Sequence, residues 1–304
     1  MPIFLLLAAV ALIGGGAWLY TPDKSRTTLE AEYAGPPSEF LQVDGIRLHV
    51  RDTGPRNAPV VILLHGLGSS LHTWEPWAAA LSVRFRVIRY DLPGFGLTGA
   101  DPTGDYSDTR SVAVLAALMD ALSVPRASLI GNSMGGKLAW EFAAEHPDRV
   151  AKLVLISPDG YASPGFEYGK KPEVPMVARL LPYTLPTFML RMNLAPAYAD
   201  ASRLTEATVN RYRDLMLAPG VRRALLDRTA QVMLEPPEPR LRLIHAPTLL
   251  VWGEKDGLIP FTNAQDYLKV MPDARLVSFP DLGHVPQEED PARSLVPVEA
   301  FLAA

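Results

Sequence analysis

Ser133 stands in the run Gly131-Asn132-Ser133-Met134-Gly135, with Gly136 next. The short apolar run Ala127–Ile130 precedes it, and a stretch that reads as helix begins near Met134. A serine between a strand and a helix sits on a sharp reversal that exposes its hydroxyl. Small residues two before and two after it spare that turn a clash. The helix N-terminus aims backbone N–H groups and a positive dipole end at the same place. Such a hydroxyl can attack a carbonyl carbon when a base takes its proton.

Six histidines could supply the base. His284, in Asp281-Leu282-Gly283-His284, follows the last apolar run in a loop that Gly283 allows to turn tightly. It also follows the candidate acids in the order serine, acid, histidine. His65 follows the apolar run Val60–Leu64 and is expected to fix the glycine loop it opens. His245 lies just before a strand, at the wrong end of a parallel sheet. His146 ends a helix, and His49 is expected on the solvent face of a strand. His72 is a candidate for the pocket wall, as is Asn132. The acid that orients the base is expected to be Asp256, in Trp252-Gly253-Glu254-Lys255-Asp256. Glu254 and Asp159 are the alternatives. The loop His65-Gly66-Leu67-Gly68 can present the N–H of Leu67 to a developing oxyanion, opposite the N–H of Met134. This chemistry calls for no metal and no organic cofactor.

These residues need a scaffold that gathers loop ends on one side. The apolar runs Val60–Leu64, Arg86–Tyr90, Ala127–Ile130, Leu153–Ile156, Thr248–Trp252 and Ala274–Phe279 read as strands buried on both faces. Helices are expected over Asp108–Leu122, Met134–Glu145, Thr262–Val270 and Pro291–Leu302. A hairpin turning at Asp44-Gly45 comes first. The expected fold class is therefore α/β, a mostly parallel twisted sheet with helices on both faces. Between Ile156 and Thr248 the alternation gives way to Pro-, Leu-, Met- and Arg-rich stretches that look helical. This stretch is expected to be a cap inserted between two strands. Its apolar residues Met176, Leu180, Leu181, Phe188, Met189, Leu190 and Met192 would roof the serine. The expected domains are 1–20, a hydrophobic anchor or signal; 21–37, a polar tether; 38–157 with 246–304, the core; and 158–245, the cap.

With these motifs, and with the turn Asp91-Leu92-Pro93-Gly94-Phe95-Gly96, the chain resembles the α/β-hydrolase fold family from about Phe40 to Leu302. It looks most like the serine carboxylesterase and lipase branch, which has the Ser-His-Asp triad. Gly283-His284-Val285-Pro286-Gln287-Glu288 is similar to that branch's histidine loop. The resemblance implies hydrolysis of carboxylic esters of apolar acyl or aryl substrates, small molecules or lipid-like. Carbon–carbon bond hydrolases of the meta-cleavage product type share Gly-Asn-Ser-Met-Gly-Gly. They usually carry a tryptophan after the histidine and an arginine from the cap in the pocket. Here Val285 follows His284. A binding protein on the same fold would be expected to have lost a member of the triad.

The chain has 304 residues, 48% of them hydrophobic, and a formal net charge of −4. It has no basic run of the kind that tracks nucleic acid. Cysteine is absent, which excludes disulfides and thiolate chemistry. Residues 2–20 carry no charge. As a helix, Phe4–Tyr20 would come close to the roughly 30 Å of a hydrocarbon core. A single membrane-anchoring span is the expectation, with a cleaved export signal or a helix packed on the core as the alternatives. Only Lys24 and Arg26, after the span, bear on its orientation.

Overall fold

The Asp44-Gly45 turn, with φ of 48° and 79°, reverses the chain between β1 (Ser38–Val43) and β2 (Ile46–Thr53). Six further strands complete one sheet in the computed structural model, which describes residues 19–163, 167–170, 172 and 174–304. They are β3 (Val60–Leu64), β4 (Arg86–Tyr90), β5 (Ala127–Asn132), β6 (Val150–Ile156), β7 (Thr248–Gly253) and β8 (Ala274–Phe279). The spatial order is β1-β2-β4-β3-β5-β6-β7-β8. β2 pairs antiparallel with β1 and with β4, and all other pairs are parallel.

Strand alternation splits the core in two. Ile62 and Leu64 point to one face, with Leu129, Leu155 and Trp252. Val61 and Leu63 point to the other, with Ile130, Val154 and Val251. Parallel strands need crossovers, and helices supply them. They include α2 (Glu75–Leu81), α3 (Asp108–Ala121) and α4 (Met134–Glu145), which lie ahead of the cap in the chain. The chain runs out along β3, crosses to β4 and returns beside β3 as β5. The crevice outside the strand ends at such a reversal is where α/β sheets place ligands.

Ahead of the sheet lies α1 (Arg26–Tyr33), capped by Ser25. It falls in the stretch expected to be a polar tether, yet it is docked. Leu29 is fully buried among Leu97, Leu215 and Val221. Lys24 pairs with Asp214, Asp23 with Arg222 and Glu30 with Arg47.

Between β6 and β7 come a 3-10 turn at Met176–Leu180 and the helices α5 (Thr187–Leu194), α6 (Glu206–Met216), α7 (Val221–Gln231) and α8 (Glu238–Leu241). After β7 follow α9 (Asn263–Val270), α10 (Pro286–Glu289) and α11 (Pro291–Ala303).

The expected membrane-anchored localisation is corrected here. Among the described residues no helix is long and apolar enough to cross a membrane. The longest of them, α3, has 14 residues, against about 20 for a span. The N-terminal hydrophobic helix itself was expected on residues 1–18, which lie outside those described.

His49 is a second correction. Alternation along β2 put it on the solvent face, and it is fully buried. Its Nδ1 lies 2.8 Å from Asp91 Oδ2 and its Nε2 2.8 Å from Ser38 Oγ, with Phe40 stacked on the ring. The loop after β4 and the first strand cover the face that a lone hairpin would leave open.

Candidate active site

Ser133 ends β5 and caps α4 with φ 55° and ψ −121°, outside the regions that L residues favour. The turn explains its neighbours. A Cβ on Gly131 would lie 2.2 Å from Gly135 O, and one on Gly135 would lie 2.2 Å from Leu64 O. Both contacts are backbone, so neither position has room for a side chain. Ser133 N–H donates to Ile156 O on β6 at 3.0 Å. As the first residue of α4, Met134 has no acceptor within the helix for its own N–H.

His65 holds the facing loop. Its Nδ1 lies 2.8 Å from the Gly66 carbonyl, and its Nε2 accepts from Leu92 N–H at 2.9 Å. Nδ1 therefore carries the proton, and burial lowers the pKa of the ring. Leu67 leaves this loop beside the serine. A Cβ on Gly66 would lie 3.2 Å from Ser133 Cβ.

His284 Nδ1 lies 2.7 Å from Asp256 Oδ2. Asp256 Oδ1 accepts from the N–H groups of Leu258 and Ile259 at 2.8 and 2.9 Å. With the carboxylate held in this way, the proton sits on Nδ1 and Nε2 is the basic nitrogen. Asn132 Nδ2 donates to the carbonyls of His284 and Ile156 at 2.9 and 3.2 Å, tying the serine's strand to the histidine's loop. Among the described residues no hydrogen bond joins Ser133 Oγ to His284. Nucleophile–base pairs are often looser before a substrate arrives.

One cavity of about 520 Å³ receives Ser133, His284, Asn132, Leu67 and Met134. Asp256 lies behind His284. His72 is placed elsewhere, with its Nε2 3.0 Å from Tyr33 O and its Nδ1 3.2 Å from Ser70 Oγ. Burial lowers its pKa to about 4. Of the two alternative acids, Glu254 accepts from Ser278 Oγ. Asp159 lines the cavity, where desolvation raises its pKa, and it accepts from Gly160 N–H.

Leu181, Leu185, Leu190, Leu194, Met216 and Leu225 of the cap stretch face the cavity. Of the residues expected to roof the serine, Met176, Leu180, Phe188, Met189 and Met192 are exposed instead, and Leu181 and Leu190 line it. Helical spacing identified the apolar residues of this stretch but not the side that the cap turns inward.

Several neighbours were not legible beforehand. The cap steadies the histidine loop: His284 N–H donates to Ala197 O at 2.8 Å. Glu289 takes the N–H groups of Gly283 and Asp200 at 2.7 and 2.9 Å. Glu288 accepts from Tyr198 and Arg211 at 2.6 and 2.7 Å. Arg228 of α7 also lines the cavity. The signal for the glutamates was their place just after His284. Arg228 had none, because its depth depends on how α7 packs.

A serine, an imidazole and a carboxylate in this order can perform acyl transfer, with two N–H groups near the serine to receive negative charge. The family model described as alpha/beta hydrolase fold matches residues 59–291. A 2-hydroxy-6-oxo-6-phenylhexa-2,4-dienoate hydrolase of Burkholderia cepacia is 31% identical over 83% of this chain and 91% of its own length. A 2-hydroxy-6-oxononadienedioate/2-hydroxy-6-oxononatrienedioate hydrolase of Burkholderia vietnamiensis is 35% identical over 84% of this chain and 92% of its own. Among solved structures, a membrane phospholipase A described as a bacterial virulence factor superposes with a TM-score of 0.76 at 28% identity. That match covers 99% of this chain and 96% of the other. On the match over 59–291 and on these relatives, the chain is a hydrolase and belongs to the α/β-hydrolase fold family.

Proposed function

We propose that the chain cleaves carboxylic esters with an apolar acyl or aryl part through an acyl-enzyme on Ser133. The observation that carries this reading is a serine at a strained elbow, sharing one largely aliphatic cavity with an imidazole whose Nδ1 is held by Asp256.

In this reading Ser133 Oγ attacks the ester carbonyl carbon while His284 Nε2 takes the hydroxyl proton. The electron pair of the carbonyl moves onto oxygen, where the N–H groups of Leu67 and Met134 receive it. Each such donor is worth about 3 kcal/mol of barrier. Collapse of the tetrahedral species breaks the bond to the alkoxy oxygen, which leaves with the proton from His284. Water then attacks the acyl carbon, gives its proton to His284, and frees the acid and Ser133.

The test is hydrolysis of p-nitrophenyl esters from acetate to palmitate by the full chain, with Ser133→Ala as control. Serine-dependent release with an optimum at medium chain length is expected from a cavity of about 520 Å³. A lack of release from every ester, despite labelling of Ser133 by a fluorophosphonate, overturns the esterase reading.

A second reading is hydrolysis of a carbon–carbon bond in a vinylogous diketone acid. The two Burkholderia relatives favour it, since both bear the name of such hydrolases. Against it, Val285 lines the cavity at the position where that group of enzymes usually has a tryptophan. Turnover of a 2-hydroxy-6-oxo-dienoate acid, and of no ester, would decide for it.

A further inference from the structure

Four arginines are buried, and three of them have a carboxylate beside them. Arg51 pairs with Glu75, Arg89 with the same Glu75 at 2.8 Å, and Arg222 with Asp23 at 2.6 Å. Arg228 is 4% exposed, and among the described residues no carboxylate oxygen lies within 4.0 Å of it. Its Nη2 donates to Ser111 Oγ at 3.1 Å, and its Nε has no hydrogen-bond partner. The guanidinium lies 5.7 Å from the Phe95 ring centre and 6.0 Å from that of Tyr106. Aromatic faces offset part of the cost of burying a cation but leave the N–H donors unsatisfied.

This arginine lines the cavity that holds Ser133 and His284. The other charges on that wall are already engaged. Lys137 and Asp108 pair with each other at 2.8 Å, with Glu141 3.9 Å from the lysine. Asp159 accepts from Gly160 N–H. A guanidinium is charged at every working pH and forks its donors toward two oxygens, the geometry of a carboxylate. An enclosed, uncompensated guanidinium in a substrate cavity is therefore a site for an anion that arrives with the ligand.

We propose that Arg228 binds a carboxylate on the substrate, at the wall where α7 meets α3, so that the preferred ester is the half-ester of a dicarboxylic acid. This rests on the esterase reading for its reaction but not for its binding. The aliphatic side chains of Leu181, Leu185, Leu190 and Leu225 would cover the methylene chain between the two ends.

The experiment compares mono-p-nitrophenyl suberate with p-nitrophenyl octanoate, equal in length and different in terminal charge. The expected result is that wild type prefers the suberate half-ester. In Arg228→Met the ratio of kcat/KM for the charged over the neutral ester falls by about 10- to 100-fold, the usual scale of a charge-assisted pair. Arg228→Lys restores part of it. An equal ratio in wild type and Arg228→Met overturns the proposal, whatever the absolute rates. Calorimetric binding of monomethyl and dimethyl suberate to Ser133→Ala, with and without Arg228→Met, reads the same contrast without turnover. If no ester is hydrolysed, the esterase reading fails, and the calorimetry still decides for or against the anion site.

Discussion

Ser133 occupies a backbone conformation that costs of order 1–3 kcal/mol, and Gly131, Gly135 and the bond to Ile156 O hold it there. Asp256 is oriented as firmly, by two N–H groups from its own loop. Asp256→Asn leaves the size of the group unchanged but places an amide donor within reach of the Nδ1 proton. The imidazole then favours the wrong tautomer. The expected outcome is a fall of about 10⁴-fold in kcat on a p-nitrophenyl ester, with the melting temperature little changed, as read by stopped assay and calorimetry. A decrease under tenfold would remove Asp256 from the triad. At this scale, what was legible was what sits beside a strand end. Ser133, Asp256 and His284 each follow an apolar run directly or within a few residues, and each has a glycine in its turn. His49, His72 and Arg228 were not legible, because their environments are made by segments distant in the chain. His49 meets Asp91, His72 meets Tyr33, and Arg228 meets Ser111.

Among the elements, α4 shows how a helix can serve the site at its first residue and still carry a cost further along. Glu141 is buried on it, and one of its carboxylate oxygens has no hydrogen-bond partner. Burial pushes its pKa up to about 8, with Asp108 adding to the rise and Lys137 opposing it. In the unfolded chain the group titrates near its ordinary value, about 4.3. The folded form therefore binds more protons between these two values. Its stabilising share is complete at acid pH and is lost as pH rises through about 8. Glu141→Gln removes this dependence. Its melting temperature should match or trail wild type at pH 5 and exceed it by a few degrees at pH 9, by calorimetry across that range. A constant difference at all pH values would show that Glu141 is ionised in the fold. The strands themselves were well marked in the sequence: β3, β4 and β8 span the expected residues, since runs buried on both faces admit few polar side chains. The helix α1 was hidden for the opposite reason. It is mostly polar and holds on through Leu29 and a few ion pairs.

Over the whole molecule, the cap leaves the sheet after β6 and returns to it at β7, so both covalent attachments lie along one line. The segment from Thr21 to Tyr33 adds a third. Thr21 N–H donates to Tyr183 O at 2.9 Å, Lys24 N–H to Leu217 O at 2.8 Å, and Asp214 receives both Lys24 and the Tyr33 hydroxyl. Asp214→Asn is expected to lower the melting temperature by a few degrees and to speed amide exchange in α6 and α7 ahead of the core strands. Unchanged exchange there would mean that the segment rests on the cap without restraining it.

A plate fixed along one edge swings, whereas a plate also pinned off that edge does not. The segment before β1 turns the cap from the first kind into the second. Ligand traffic then has to pass between side chains at a fixed opening. Turnover of bulky esters should follow the width of that opening more closely than the viscosity of the medium.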